Sequence, residues 1–318
     1  MPALSVLERL IRRRGRAVRS HARVGDRLIE SSPCPACGYD RTRPLFAVLG
    51  AKYVACAHCG LARMNPMPPA SDLLAKFGSA YFEGGSIPGG YDDYAADEAL
   101  HRANARSRLA QIAKQHPGPP GRYLDIGCAF GYALDEARKA GWDAVGVEPS
   151  PGAAARARGL GLDVYADPAA ALAAHPEGFD VVSLCQVLSH VPDPARVVRE
   201  SAACIKPSGV LFIETWRRDA FVARLSGRHW HVISPPTVVW LETTASLRVL
   251  LARSGLDIID WTAGHKRVSV RFVAALLKDR PAPRFLMRFV QRAARALARV
   301  SLLYPFHDLI WITSTPVA

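Results

Sequence analysis

A chain of 318 residues is too long for one small module and suits a catalytic domain of about 200 to 250 residues plus an appended unit. With 49% hydrophobic and 22% charged residues it can build a packed core, which excludes wholesale disorder and any collagen-like architecture. Its 41 Lys and Arg against 28 Asp and Glu leave a net charge of +13, compatible with nucleic acid, an anionic membrane face or phosphorylated substrates and specific for none of them.

The chain opens on a basic arm, residues 1–30, with eight Arg against three acids. Arginines stand where a signal peptide is apolar, and no stretch approaches about 18 uninterrupted apolar residues, so a cytoplasmic protein is expected. In this arm Leu4, Leu7 and Ile11 share a helical face beside Arg9 and Arg12 to Arg14. A small zinc-ribbon domain is expected over 31–75. Cys34 and Cys37 form one C-x-x-C pair, Cys56 and Cys59 another, and eighteen residues separate them. In a reducing compartment this spacing fits a four-thiolate structural zinc site, closed to chemistry because no coordination position is left open. Gly38 and Gly60 follow the second thiolate of each pair, where a tight turn favours a residue without Cβ. A pair of disulfides is the alternative.

Residues 76–120 read as a linker with helices, including a helix from about Asp92 to Gln115 that the proline-rich stretch 116–121 ends. From 121 to 318 short apolar runs alternate with Ala/Arg-rich helical runs, the pattern of an α/β Rossmann-like fold. Strands are predicted at Tyr123–Ile126, Ala144–Glu148, Asp163–Tyr165, Phe179–Cys185 and Val210–Glu214, with a sixth near Leu256–Thr262 and a last at Asp308–Ser314. A helical insertion is expected at about 267–304. Within it Arg284, Arg288, Arg292, Arg295 and Arg299 recur at helical spacing opposite Leu286, Phe289, Val290 and Leu297. Such a helix either covers an acceptor cleft or lies on an anionic membrane surface.

In such a sheet ligands bind where the first strand turns into the first helix. That turn reads Asp125, Ile126, Gly127, Cys128, Ala129, Phe130, Gly131. It lacks the middle glycine of a dinucleotide site and the Lys-Ser/Thr of a P-loop, so a nucleoside without phosphate fits better. Glu148, closing the second strand, stands where a carboxylate reaches both ribose hydroxyls. Together they point to S-adenosylmethionine.

These features make the chain resemble the class I S-adenosylmethionine-dependent methyltransferases, and in particular a bacterial subgroup with an N-terminal zinc ribbon. The marks are the two cysteine pairs, the Asn65-Pro66 to Tyr81-Phe82 stretch, the Leu124 to Gly131 turn, Gly146-Val147-Glu148-Pro149-Ser150, and the Phe179 to Pro194 segment. The resemblance implies a seven-stranded sheet, parallel with an antiparallel last strand and flanked by helices. It also implies that Asp125, Gly127, Cys128, Ala129 and Gly131 shape the turn and hold the amino-acid end of the cofactor. Glu148 would hold the ribose, Asp167 the adenine amino group, and Cys185 with Gln186 would line the pocket. Asp167 is equally suited to capping the helix that starts at Pro168.

The chain departs from the family in carrying Ala129 and Phe130 where Gly and Thr are commoner, and Ser189 where Glu is usual. Methyl transfer from a sulfonium asks mainly for alignment and exclusion of water. A general base helps a hydroxyl or acidic carbon acceptor, and His190, just past the fourth strand, is the candidate. His190 packing or capping the next helix is the alternative. Three functions follow: methylation of a small molecule or glycan, such as a sugar or lipid-linked saccharide; RNA methylation with ribbon and basic ends on phosphates; and a non-catalytic zinc-ribbon adaptor. No base-stacking aromatic basic patch supports the second.

Overall fold

The structure, a computed structural model, describes residues 23–24, 27–28, 33–84, 87, 89–91, 93–116, 118–270 and 301–317. Of the basic arm this covers only a two-residue antiparallel pair, Arg23–Val24 with Arg27–Leu28. The apolar face placed on Leu4, Leu7 and Ile11 lies outside the described residues, as does the arginine stripe of 284–299.

Three strands build the ribbon: β1 (Thr42–Val48), β2 (Ala51–Cys56) and β3 (Ala62–Met64). Two short helices, α1 (Ala70–Ala75) and α2 (Ser79–Phe82), lead to α3 (Glu98–Gln115). This last helix was expected from about Asp92. It begins at Glu98, after a 3-10 turn at Ala95–Asp97. The sheet-forming region then alternates as predicted. Strand β4 (Arg122–Ile126) is followed by α4 (Tyr132–Lys139), β5 (Asp143–Val147), α5 (Pro151–Gly159), β6 (Asp163–Tyr165), α6 (Pro168–Ala174) and β7 (Phe179–Cys185). Next come α7 (Pro194–Ala203), β8 (Ile205–Trp216), α8 (Phe221–Ser226), β9 (Trp240–Leu241), α9 (Thr244–Arg253) and β10 (Leu256–Ala263). The described chain ends with β11 (Arg267–Ser269), β12 (Ser301–Leu303) and β13 (Leu309–Pro316).

Seven strands form one sheet in the order β10-β13-β8-β7-β4-β5-β6. The pairs β4–β5, β5–β6, β4–β7 and β7–β8 are parallel, whereas β13 runs antiparallel to both β8 and β10. The fold expected from the sequence is therefore observed. Its central strands are buried on both faces: Leu124, Val181, Val182, Leu184, Leu211, Phe212 and Ile213 are all fully buried. That two-sided burial is why these runs are continuously apolar rather than alternating. Each such side chain contributes roughly 1.5–3 kcal/mol. Strand order reverses between β4 and β7, so their carboxyl ends open the crevice in which such sheets bind ligands.

The expected helix over 267–304 is corrected at both ends. Residues 267–269 and 301–303 are strands, paired antiparallel with Arg267 opposite Leu303. Three-residue strands more than thirty positions apart in the chain leave no periodicity, so only their meeting in space reveals them.

The ribbon is not a free appendage. Its sheet has the order β9-β3-β2-β1, and β9 comes from the region after β8. The segment carrying β9 is fastened on both sides. Toward the ribbon, Met64 N–H donates to the Val239 carbonyl (2.9 Å), Tyr53 O–H to the Val238 carbonyl, and Thr243 O–H to the Cys59 carbonyl (2.7 Å). Toward the sheet edge, Val239 N–H donates to the Ser189 carbonyl (2.9 Å) and Trp240 Nε1–H to the Val191 carbonyl (2.8 Å). Ribbon residues such as Tyr53 and Leu61 share one apolar cluster with Leu184, Ile213 and Trp240. Among the described residues no helix is long and apolar enough to cross a membrane.

Glu242 sits at the centre of this junction. Its side chain is buried, and the Ser189 hydroxyl lies 3.1 and 2.9 Å from its two oxygens. Burial pushes its carboxyl up to about 8, against the pull of a backbone hydrogen bond and the Ser189 hydroxyl. A protonated Glu242 donates to Ser189 and accepts from it, which accounts for both short contacts. Because the folded-state value exceeds the ordinary 4.5, this group stabilises the fold fully below about 4.5, and that contribution is lost as pH rises toward about 8. We expect stability to fall by several kcal/mol across that window. In Glu242→Gln most of this slope should vanish, as measured by urea unfolding from pH 5 to 8.5.

Candidate functional site

The turn after β4 is built around two residues that cannot carry a side chain. Gly127 has φ +82° and Gly131 φ +80°. A Cβ on Gly127 would stand 2.7 Å from Val187 Cγ2, and one on Gly131 2.7 Å from Leu162 Cδ1 and 2.9 Å from Ala157 Cβ. Left-handed backbone and crowding thus both require glycine. Ala129 also has positive φ, +50°. Its N–H is spent on Glu148, whose Oε2 accepts it at 2.9 Å, while Oε1 accepts the Ser150 N–H at 2.8 Å. Burial raises the Glu148 pKa, and these two N–H groups partly restore the charged form. Each oxygen keeps a second lone pair for a ligand.

Beyond the carboxyl ends of β4, β7 and β8 lies a cavity of about 130 Å³. Asp125, Gly127, Cys128, Cys185 and Gln186, all singled out in the sequence, line it together. Ala129, Gly131, Glu148, Asp167 and His190 do not line it. The volume is below the ~300 Å³ of a typical complete ligand pocket, so the cavity has room for part of a small ligand. Asp125 is buried, and its Oδ1 accepts the Ser183 hydroxyl, which in turn accepts from Tyr123 O–H at 2.9 Å. Burial pushes Asp125 up to about 6, against the pull of Ser183 and Arg108. Cys185, also drawn upward by burial, is a thiol at neutral pH. Gln186 takes φ +61° and its N–H donates to the Glu214 carbonyl (2.8 Å).

The cavity also holds charged residues that sequence reasoning missed. Arg108 Nη1 lies 3.1 Å from Glu214 Oε1, which Gln186 Nε2 also approaches at 3.3 Å, while Trp311 Nε1–H donates to Oε2 at 2.7 Å. Burial opposes ionisation of Glu214, but Arg108, Lys266 and these hydrogen bonds reverse that and hold its carboxyl below the ordinary value. Across from them stand His101 and Lys266. One signal was available: His101, Asn104 and Arg108 recur on one face of α3 in register with buried Ala105, Leu109 and Ile112, so polar groups interrupt an otherwise core-facing stripe.

Asp167 is exposed and caps α6, accepting the Ala170 N–H at 2.8 Å. His190 sits in a 3-10 turn. Its Nδ1 is 2.8 Å from the Thr237 carbonyl, and its ring stands edge-on to Phe77. A carbonyl only accepts, so Nδ1 carries the proton and Nε2 is left basic. Burial keeps the ring neutral.

The four ribbon cysteines converge. Cys34 Sγ is 3.5 Å from Cys59 Sγ and Cys37 Sγ 3.6 Å from Cys56 Sγ, and all four sulfurs lie within 4.8 Å of one another. Those distances exclude disulfides, whose sulfurs sit near 2.05 Å, and fall close to the ~3.8 Å edge of a tetrahedron with 2.3 Å zinc–sulfur bonds. His58 N–H approaches Cys56 Sγ at 3.4 Å, but its ring is exposed and packs on Tyr39.

Comparison with known proteins agrees with this geometry. The family profile described as "Methyltransferase domain" matches residues 96–260. A ubiquinone biosynthesis O-methyltransferase of Ralstonia nicotianae is 36% identical over 137 residues, 41% of this chain and 57% of that protein. One from Cereibacter sphaeroides is 30% identical over 183 residues, 50% of this chain and 74% of that protein. The chain thus spans less than two thirds of the first and about three quarters of the second. Among solved structures, a SAM-dependent methyltransferase from Archaeoglobus fulgidus is 17% identical with a TM-score of 0.45, over 70% of this chain and 98% of that one. The matched span, the sheet order and the glycine turn place this chain in the methyltransferase domain family, among the class I S-adenosylmethionine-dependent methyltransferases.

Proposed function

We propose that this protein transfers a methyl group from S-adenosylmethionine to a hydroxyl oxygen of a small molecule. One observation carries the cofactor half: the glycine turn after β4 is locked to the carboxylate that closes β5, Ala129 N–H to Glu148. Asp125, Gly127, Cys128, Cys185 and Gln186 would hold the amino-acid end in the cavity, and Glu148 the ribose. Asp125, ionised above about pH 6, suits a cationic ligand. When bound, the cofactor supplies an electrophilic methyl with a neutral leaving group. What the chain then provides is alignment and a dry wall. Tyr91, Tyr94 and Tyr132 supply much of that wall. The oxygen acceptor is supported by the names of the two relatives, and a sugar hydroxyl belongs to the same chemical class.

Zinc in the ribbon is part of the proposal, held by Cys34, Cys37, Cys56 and Cys59. With four thiolates it would serve the fold alone. His190 remains a base for an acceptor only if that acceptor reaches the β7 edge from outside the cavity.

Calorimetry with S-adenosylhomocysteine tests the cofactor site. Glu148→Ala should weaken binding by a factor of about 10 to 100, and failure of the zinc-loaded native protein to bind would overturn the reading. Elemental analysis should find one zinc per chain. Cys56→Ser should lose the metal and melt at lower temperature. Transfer of labelled methyl to catechols or nucleotide sugars, with the product resistant to mild base as an ether is, would establish the oxygen acceptor.

A further inference from the structure

The cavity wall formed by α3 and the segment before β11 carries a cation, Lys266, on which the charge of Glu214 acts only through space. Asn104, buried on α3, clamps the backbone of Arg267 in both directions. Its Nδ2 donates to the Arg267 carbonyl at 3.0 Å, and its Oδ1 accepts the Arg267 N–H at 2.7 Å. The carbonyl of Lys266 accepts the Tyr304 N–H at 2.7 Å. The Lys266 ammonium stands 5.5 Å from the centroid of the Trp216 ring. The backbone is therefore held on both sides of the side chain, and partial burial of that side chain limits the rotamer entropy that a mobile surface lysine loses on binding. Among the described residues its Nζ makes no hydrogen bond or ion pair.

Of the carboxylates nearby, Glu214 acts on Lys266 through space, but the hydrogen bonds of each go to other groups. Glu214 is occupied by Arg108, Gln186 and Trp311. Asp125 is bonded to Ser183, and Asp97 accepts from Ser269. A second polar group on the same wall is also unspent. His101 Nε2 is buried with no hydrogen-bond partner, and its ring is stacked on Tyr94 with centroids 3.9 Å apart. Burial, then Lys266 and Arg108, draw the His101 pKa down to about 3. The ring is thus neutral, and in the tautomer with the proton on Nε2 it gives an N–H to the cavity. A buried donor without a partner carries a desolvation penalty that a ligand oxygen would relieve.

We propose that Lys266 and His101 form an oxyanion subsite in this cavity, which receives a carboxylate or an ionised hydroxyl of a bound small molecule. The subsite rests on the methyltransferase reading only for the source of that oxyanion. The cofactor's own carboxylate and the acidic oxygen of a hydroxyl acceptor present the same chemistry. In the first case Lys266 fixes the cofactor; in the second it selects acceptors whose hydroxyl ionises and steadies the nucleophile.

Three probes separate these outcomes: S-adenosylhomocysteine, its decarboxylated analogue, and 4-nitrocatechol, a phenol whose absorbance reports ionisation. We expect Lys266→Met to weaken one anionic probe at least tenfold, with Lys266→Arg recovering most of that affinity. Loss confined to S-adenosylhomocysteine, with the decarboxylated analogue unchanged, assigns the subsite to the cofactor. Loss confined to 4-nitrocatechol, whose bound spectrum in the native protein shifts toward the ionised form, assigns it to the acceptor. His101→Gln repeats the measurement should the Met variant not fold. Unchanged affinity of both anionic probes in the folded variants would overturn the subsite. Failure of the native protein to bind S-adenosylhomocysteine would instead overturn the methyltransferase reading, leaving the nitrocatechol arm to decide the subsite.

Discussion

Two backbone N–H groups, from Ala129 and Ser150, satisfy the buried carboxylate of Glu148, and the shape of the ligand-binding edge follows from that arrangement. A carboxylate removed from water needs donors, and here they come from the turn after the first sheet strand and the start of the helix after the second. The turn is thereby held in a left-handed path that Gly127 and Gly131 permit. Asp125, one residue short of the end of β4, is left beneath it beside Ser183. Remove the Glu148 oxygens and two N–H groups lose their acceptor at once, so fold and cofactor site are coupled through a single side chain.

The second organising element is the segment around β9. It lies between the four-cysteine ribbon and the strand-end turn that carries Ser189 and His190, and it bonds to each. The ribbon thereby becomes the outer buttress of the turn at the carboxyl end of β7. Ser189 gains its meaning here. The departure from the usual family acid at this position is matched by a carboxyl supplied from elsewhere, Glu242, which reaches the same place from β9.

Much of this was legible in the residues. The strands of the main sheet follow from continuous apolar runs bounded by Gly and Pro, and the four-cysteine cluster from the spacing of its two pairs, because each signal is written in a short stretch of chain. Asp167 shows the limit of such reading: Asp before Pro is favoured as a cap and as a ligand alike, and the structure gives it the cap. Contacts made by elements far apart in the chain stayed hidden. Nothing in Arg267-Val268-Ser269 announces a partner at 301–303, and nothing in Trp240-Leu241 announces membership of the ribbon sheet. The charged residues of the cavity were missed for the same reason, since Arg108, Glu214 and Lys266 come from three separate elements and meet only after folding.

The pairing of β11 with β12 has an evolutionary consequence. The two strands stand side by side as a hydrogen-bonded pair, and the first of them lines the cavity through Val268 and Ser269. Because these strands pair with each other and not with the seven-stranded sheet, changes in them leave the register of that sheet untouched. A cavity wall built this way lets descendants of one scaffold diversify what they admit while the inherited chemistry stays as it is.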